Sequence, residues 1–219
     1  MSFSDLFSTE GIDHAAKLHL AKSDLADVMV SPFVNYGPKM LLDKNMGRLF
    51  TIMRDPIPRA ISVFDSFVSS ATIPEISDMK ISEYLESQYM ESNWMIRAIT
   101  DKRQLETIGE EDLEYAKSIL SEKCLIGLYE RIEDSFDRFE TYFGWEGISG
   151  KTICQKQIYQ KAQEREIETN ERSGKAIYDD DKIIEAMRRA NSWDILLYEH
   201  AVSLFAEQEF SSKENIAIR

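Results

Sequence analysis

The residues best placed to do chemistry form one short segment, residues 54–62, with the sequence RDPIPRAIS. Two guanidinium groups and a hydroxyl surround a turn here, with Arg59 five residues and Ser62 eight residues after Arg54. Such a set suits a phosphate monoester, because a forked guanidinium and a hydroxyl donate to its oxygens while helix N-terminal amides face its charge. The segment therefore predicts a phosphate-binding turn that uses Arg54 and Ser62, with Arg59 in support.

Two elements must position this turn. Residues 48–53 (RLFTIM) are almost continuously apolar, as expected of a buried parallel strand, and Arg54 closes that strand at the carboxyl edge of the predicted sheet. Asp55 is a predicted helix N-cap, and Pro56 takes the first position of a helix that runs to about Ser69. One alternative stays open, since an N-capped helix carrying surface arginines has the same pattern.

The rest of the chain alternates apolar strands with helices, which predicts a single α/β domain over residues 1–219, with a small parallel sheet flanked by helices. Residues 146–178 are polar and contain several glycines, and we expect a long loop there, partly disordered or facing a substrate. Further strands are predicted at 27–30 and 124–129, and further helices at 11–22, 93–100, 110–122, 132–143, 180–190 and 193–209, with another opening at 82.

Charge is distributed unevenly along the chain. The net charge of −13 should repel nucleic acids and anionic membranes. Residues 39–59, however, hold five basic and two acidic residues, whereas residues 101–150 hold thirteen acidic and six basic ones. A basic island in an acidic chain predicts an anionic ligand, and the alternative is a fluctuation on a solvated surface.

Several classes of protein find no support in the sequence. No run reaches the roughly 18 apolar residues of a membrane span, so the chain is expected to be soluble. Three scattered histidines and no close cysteine pair argue against a metal site. Cys124 is expected to be buried, the state of Cys154 stays open, and two cysteines do not make a disulfide scaffold.

Residues 49–67 (LFTIMRDPIPRAISVFDSF) resemble the 3′-phosphate segment of the carbohydrate-type sulfotransferases, in which a strand ends in Arg-Asp-Pro and is followed by an Arg and a Ser. The resemblance covers roughly residues 27–210, and its motifs occur in the family's order. Three further segments carry it, namely ESNWMIRAIT (91–100), LIGLYERIEDSFDRFETYFGW (125–145) and NSWDILLYEHAVSLFAEQ (191–208).

The resemblance implies a P-loop-like fold that binds 3′-phosphoadenosine-5′-phosphosulfate as co-substrate and transfers its sulfuryl group to a hydroxyl, most plausibly on a carbohydrate. It assigns the 3′-phosphate to Arg54 and Ser62. Asn93 and Arg97 match the family's Asn-x-x-x-Arg segment and are weaker candidates for acceptor binding, with a solvated helix face as the alternative. Family members of this type work in the Golgi lumen, although the cytoplasm stays open for this chain.

The sequence departs from the family in two ways. Nothing in the first 47 residues resembles the family's Gly-rich or Ser/Thr-rich phosphate loop with its lysine, so the chain is expected to lack that N-terminal segment. No catalytic base is assigned, because the position expected for it holds Ser31 and Pro32, while His14 and His19 are weak candidates.

These departures leave two rivals to an active sulfotransferase. One is a truncated, non-catalytic homologue that keeps the anion site and acts as a binding protein. A missing first strand would expose a sheet edge, which favours a homo-oligomer. The other is an acidic helical interaction module in which residues 54–62 are only a capped helix.

Overall fold

A computed structural model describes residues 9–20, 49–70, 73–145 and 175–212, together with the single residues 28, 30, 31, 160 and 164. Most of this part is helical. The strands are β1 (Leu49–Met53) and β2 (Cys124–Leu128), and the helices are α1 (Thr9–Lys17), α2 (Pro56–Ser70), α3 (Ile81–Glu86), α4 (Trp94–Thr100), α5 (Glu110–Lys123), α6 (Ile132–Phe143), α7 (Lys175–Tyr178), α8 (Asp181–Ala190) and α9 (Ser192–Ser212).

The two strands form a parallel sheet whose register runs from Leu49 opposite Cys124 to Met53 opposite Leu128. The described part is thus α/β, with a small parallel sheet flanked by helices, as the sequence predicts. Both strands end at the same edge, and a short 3₁₀ turn (Tyr129–Arg131) follows β2 there. Arg54 and Tyr129, the first residues after the two strands, are therefore neighbours at that edge.

The core is built around β2, of which every residue is buried. Helices α5 and α9 pack against it, and their apolar side chains join those of the strands in one cluster that includes Met53, Leu120, Ile126, Leu197 and Phe205. On the other side α6 approaches closely at Gly127. A Cβ at that position would lie only 2.6 Å from Cζ of Phe139, so the close packing of α6 requires glycine.

The outer edge of β2 is closed by side chains. The Ile126 N–H donates to Oε1 of Gln208 (2.9 Å), and Nε2 of Gln208 donates to the Cys124 carbonyl (3.0 Å). Nη1 of Arg138 donates to the Ile126 carbonyl at 3.3 Å. One amide side chain of α9 thus takes the place of a third strand and blocks pairing at this edge.

Some elements differ from the sequence expectations. In the predicted strand at 27–30, Val28 and Val30 are exposed and not in a strand, and the other two residues lie outside the described part. The predicted loop 146–178 is wrong at its end, because residues 175–178 form α7, and Gln160 and Glu164 are also helical. The other residues of that segment lie outside the described ones. Among the helices described, none is long and apolar enough to cross a membrane.

Candidate anion site at the carboxyl edge of the sheet

Arg54 is the centre of the candidate site. Its guanidinium carbon lies 4.4 Å from the ring centroid of Tyr129, so the planar group stacks on an aromatic face. Its Nε is buried and has no hydrogen-bond partner among the residues that the structure describes. Nearly all buried polar atoms in proteins are paired, and an unpaired donor is costly. The unpaired Nε therefore makes Arg54 the candidate for contact with an anionic ligand.

The turn after Arg54 offers a ligand fewer free backbone N–H groups than the sequence predicted. The Ile57 N–H donates to Oδ1 of Asp55 (2.9 Å), which confirms Asp55 as the N-cap of α2. The Arg59 N–H donates to the Asp55 carbonyl at 3.1 Å, and proline at 56 and 58 supplies no N–H. The expectation of helix N-terminal amides for the phosphate is therefore wrong, because this first turn has no free amide.

Arg59 has different partners from Arg54. Its Nη2 is 3.0 Å from Oε2 of Glu91, and its guanidinium carbon lies 4.3 Å from a ring centroid of Trp94. The two arginines therefore contact different partners, and the charge of Arg59 is matched by a carboxylate. Ser62 is half-buried two turns into α2, on the same helix face as Arg59. The roles of Arg59 and Ser62 in ligand binding stay predictions.

Asn93 takes part in a reciprocal cap between two helices. It adopts a left-handed conformation (φ 50°), and its Oδ1 accepts hydrogen bonds from the N–H groups of Trp193 (3.0 Å) and Asp194 (3.2 Å) at the start of α9. In return the Asp194 carboxylate accepts from the N–H groups of Met95 (2.8 Å) and Ile96 (2.9 Å) in α4. The N-terminus of each helix is thus capped by a side chain from the start of the other helix.

The side chains of Asn93 and Arg97 are both hydrogen-bonded to backbone groups of the protein. Asn93 is only 8% exposed. The Arg97 guanidinium donates to the carbonyl of Ser92 (2.9 Å) and to those of Arg103 and Glu106, which ties the loop after α4 to the helix. The acceptor-binding role expected of this pair therefore finds no support in the geometry and stays a prediction.

Burial raises the pKa of the Asp194 carboxyl to about 6, and the hydrogen bonds from Ile96 and Met95 and the charges of Arg59 and Arg97 counteract this only in part. Since the folded pKa exceeds the ordinary value of 3.8, this group stabilises the fold fully below that value and loses its contribution as pH rises through about 6. We expect the free energy of unfolding of the wild type, relative to Asp194→Asn, to fall between about pH 4 and pH 7. Urea unfolding of both proteins across that range measures it, and a difference independent of pH contradicts it.

A serine–histidine contact that the sequence did not reveal joins α5 and α9. Oγ of Ser121 lies 2.9 Å from Nε2 of His200, and the same hydroxyl donates to the Lys117 carbonyl at 2.8 Å. A hydroxyl that donates to the Lys117 carbonyl can accept a hydrogen bond from a ring N–H, so both contacts of Ser121 are accounted for as structural links between the two helices. His14 and His19 are both exposed, in α1 and just after it.

Neither the cysteines nor any metal-binding cluster adds a second reactive centre to the described residues. Cys124 is buried and free, and burial raises the pKa of its thiol to about 12, so the thiolate does not form at neutral pH. Within the described ranges, no three His, Cys, Asp or Glu side chains are grouped to hold a metal ion. Cys154 lies outside those ranges.

No protein-family model, curated protein or solved structure matches this chain. The sulfotransferase resemblance consequently rests on the sequence motifs, and the Arg54 site is the structural feature that bears on function.

Proposed function

We propose that the chain binds the 3′-phosphate of 3′-phosphoadenosine-5′-phosphosulfate, or of its product 3′,5′-adenosine bisphosphate, at the carboxyl edge of the β1–β2 sheet. The buried and unpaired Nε of Arg54 carries the proposal. A phosphate oxygen would supply the missing acceptor. In the sequence, residues 39–59 are richer in basic than in acidic residues, and this supports an anionic ligand near the turn of an otherwise acidic chain.

The stacking of Arg54 on Tyr129 suits this role. The contact with the Tyr129 ring supplies no lone-pair acceptor, so it leaves Nε without a hydrogen-bond partner. Nε is covered in this structure, so a phosphate must displace the groups around it before Nε and one terminal nitrogen can donate in parallel to two of its oxygens. The Ser62 hydroxyl is the proposed additional donor, and Arg59, whose guanidinium also pairs with Glu91, is proposed in support from the same helix.

The reaction we propose is that of a sulfotransferase. The acceptor hydroxyl, on a carbohydrate, attacks the sulfur of the phosphosulfate, and the bond from sulfur to the bridging oxygen breaks. The leaving oxygen remains on 3′,5′-adenosine bisphosphate, and the hydroxyl proton passes to a general base. A P-loop-like sulfotransferase fold around the two strands is part of this proposal.

A second candidate function is binding without turnover. The observation that favours it is the first turn of α2, in which Asp55 takes the amides of Ile57 and Arg59, while proline removes two others. A phosphate at this turn would be held by side chains without backbone amides, and turnover needs further donors at the 5′-phosphate, the leaving group, which is not the group that this turn is proposed to hold. Incubation with ³⁵S-labelled donor and a mixture of glycans separates the candidates, since labelled glycan appears only with an active enzyme.

Replacement of Arg54 by alanine should weaken the binding of 3′,5′-adenosine bisphosphate about 10- to 100-fold, because a charge-assisted and partly buried contact is lost. Isothermal titration of both proteins measures this. Arg189→Ala is a matched control, since it removes the same charge from a side chain that is 68% exposed and forms an ion pair with Glu185 of the same helix. Equal affinity in wild type and Arg54→Ala, or no binding by either, contradicts the proposed site.

A further inference from the structure

The geometry points to Glu130 as the residue that positions Arg54 for the anion, with Tyr198 holding Glu130 in place. This inference rests on the proposed function and adds two residues to its site. Oε1 of Glu130 accepts a hydrogen bond from the Asp55 N–H at 2.9 Å, and Oε2 accepts from the Tyr198 hydroxyl at 2.7 Å. One carboxylate thus bridges the turns after both strands and helix α9.

The contact with Asp55 fixes the peptide unit that follows Arg54. That amide belongs to the peptide plane that starts at the Arg54 carbonyl, so its hydrogen bond limits rotation of the backbone next to the arginine. In the turn after β2, Tyr129, which immediately precedes Glu130, lies under the guanidinium. Two adjacent residues of one turn therefore hold the backbone and the side chain of Arg54 together, across 75 positions of sequence.

Tyr198 makes this arrangement rigid. It is partly buried against the main core cluster, so its hydroxyl is presented from a packed helix. Burial and the hydrogen bond to Glu130 raise the pKa of the phenol above its usual range, and it stays protonated as a donor at neutral pH. The carboxylate is thereby held between a fixed donor on α9 and the backbone of the β1–α2 turn.

Charge and geometry act in opposite directions at Glu130, and this makes the inference testable. A carboxylate beside an anion site repels the ligand, so loss of the charge alone would strengthen binding. Loss of the bridge would release the turn and weaken binding. Glu130→Gln removes the charge but keeps an oxygen for the Asp55 N–H and an NH₂ group for the Tyr198 oxygen, whereas Glu130→Ala removes both charge and bridge.

The experiment is isothermal titration with 3′,5′-adenosine bisphosphate and with 5′-adenosine monophosphate, whose affinity ratio reports the 3′-phosphate contact alone. We expect Glu130→Gln to bind the bisphosphate at least as tightly as the wild type. Glu130→Ala should bind it roughly fivefold to tenfold more weakly, with a reduced ratio between the two nucleotides. Glu133→Ala, which removes an exposed acid two residues beyond the turn, should leave that ratio unchanged.

An unchanged or larger ratio in Glu130→Ala, with Arg54→Ala still impaired, overturns the role of Glu130 and leaves the proposed function standing. Absence of binding by the wild type overturns both. Should a thermal melt show that Glu130→Ala is unfolded, Tyr198→Phe decides, because it keeps the packed ring and removes only the hydroxyl. A reduced ratio in Tyr198→Phe supports the inference, and a wild-type ratio overturns it.

Discussion

Replacing Asp194 by alanine should lower the free energy of unfolding by about 3–4 kcal/mol at pH 5. The side chain is 1% exposed, and its two oxygens accept from two backbone N–H groups of α4. Alanine leaves both buried donors without a partner, and each such loss costs about 1–3 kcal/mol. The pH of 5 is also below the folded pKa of this carboxyl, about 6, so most of the carboxyl is protonated. Removing the side chain therefore relieves little cost of burying a charge, and the loss of the two hydrogen bonds is not offset. Urea unfolding at that pH measures the effect.

Asp180→Ala is the matched control for this prediction. Asp180 also accepts from two backbone N–H groups, those of Lys182 and Ile183, but these hydrogen bonds are exposed at the start of α8. Water replaces an exposed cap, so this change should cost about 1 kcal/mol. If the two variants are destabilised equally, the reciprocal cap between α4 and α9 does not contribute as described.

Gly127→Ala should cost about 2–3 kcal/mol of unfolding free energy, because a single methyl group has no room beneath α6. The new Cβ would meet Cζ of Phe139 at 2.6 Å and Cβ of Ser135 at 3.0 Å. Phe139 is completely buried, so its ring has no open space to enter. Thermal or urea unfolding measures the loss.

Two further variants identify the cause of that loss. Phe139→Leu removes the ring atom that the new methyl group would contact. The double variant with Gly127→Ala should therefore be more stable than the sum of the two single effects implies. Gly109→Ala is the control, since a Cβ there has no atom within 4 Å, and it should cost less than about 1 kcal/mol. Additive effects at 127 and 139 would contradict the close approach of α6.

Local patterns in the sequence were sufficient to predict the strand and the helix that position the candidate site. An apolar run before Arg54, a capping aspartate and a proline at the first helical position predicted β1 and α2 within two residues of their bounds. The glycine after Phe143 likewise marked the end of α6, where it adopts φ 69°. These signals are short-range, because each depends on backbone conformations of a few neighbouring residues.

The blocked helix N-terminus could also have been found in the sequence. Two prolines in the first turn of α2 remove two N–H groups, and the aspartate that caps a helix occupies a third. The phosphate-binding pattern and the helix-capping pattern compete for the same amides. The structure shows that capping takes them, so the anion site depends on the guanidinium of Arg54.

Other features had no local signal. Asn93 and Asp194 meet across 101 positions, and Glu130 and Tyr198 across 68, so only the packed fold brings them together. The i, i+4 spacing of Asn93 and Arg97 suggested a shared surface. The structure instead directs both side chains to backbone groups, because a buried helix start and a polar loop need partners.

A crystal structure of the chain with 3′,5′-adenosine bisphosphate tests most directly whether Arg54 binds a 3′-phosphate. We expect a 3′-phosphate oxygen at about 2.8 Å from Nε of Arg54, with the guanidinium still in contact with the Tyr129 ring. A bound nucleotide whose phosphates lie elsewhere, with that nitrogen still unpaired, would contradict it.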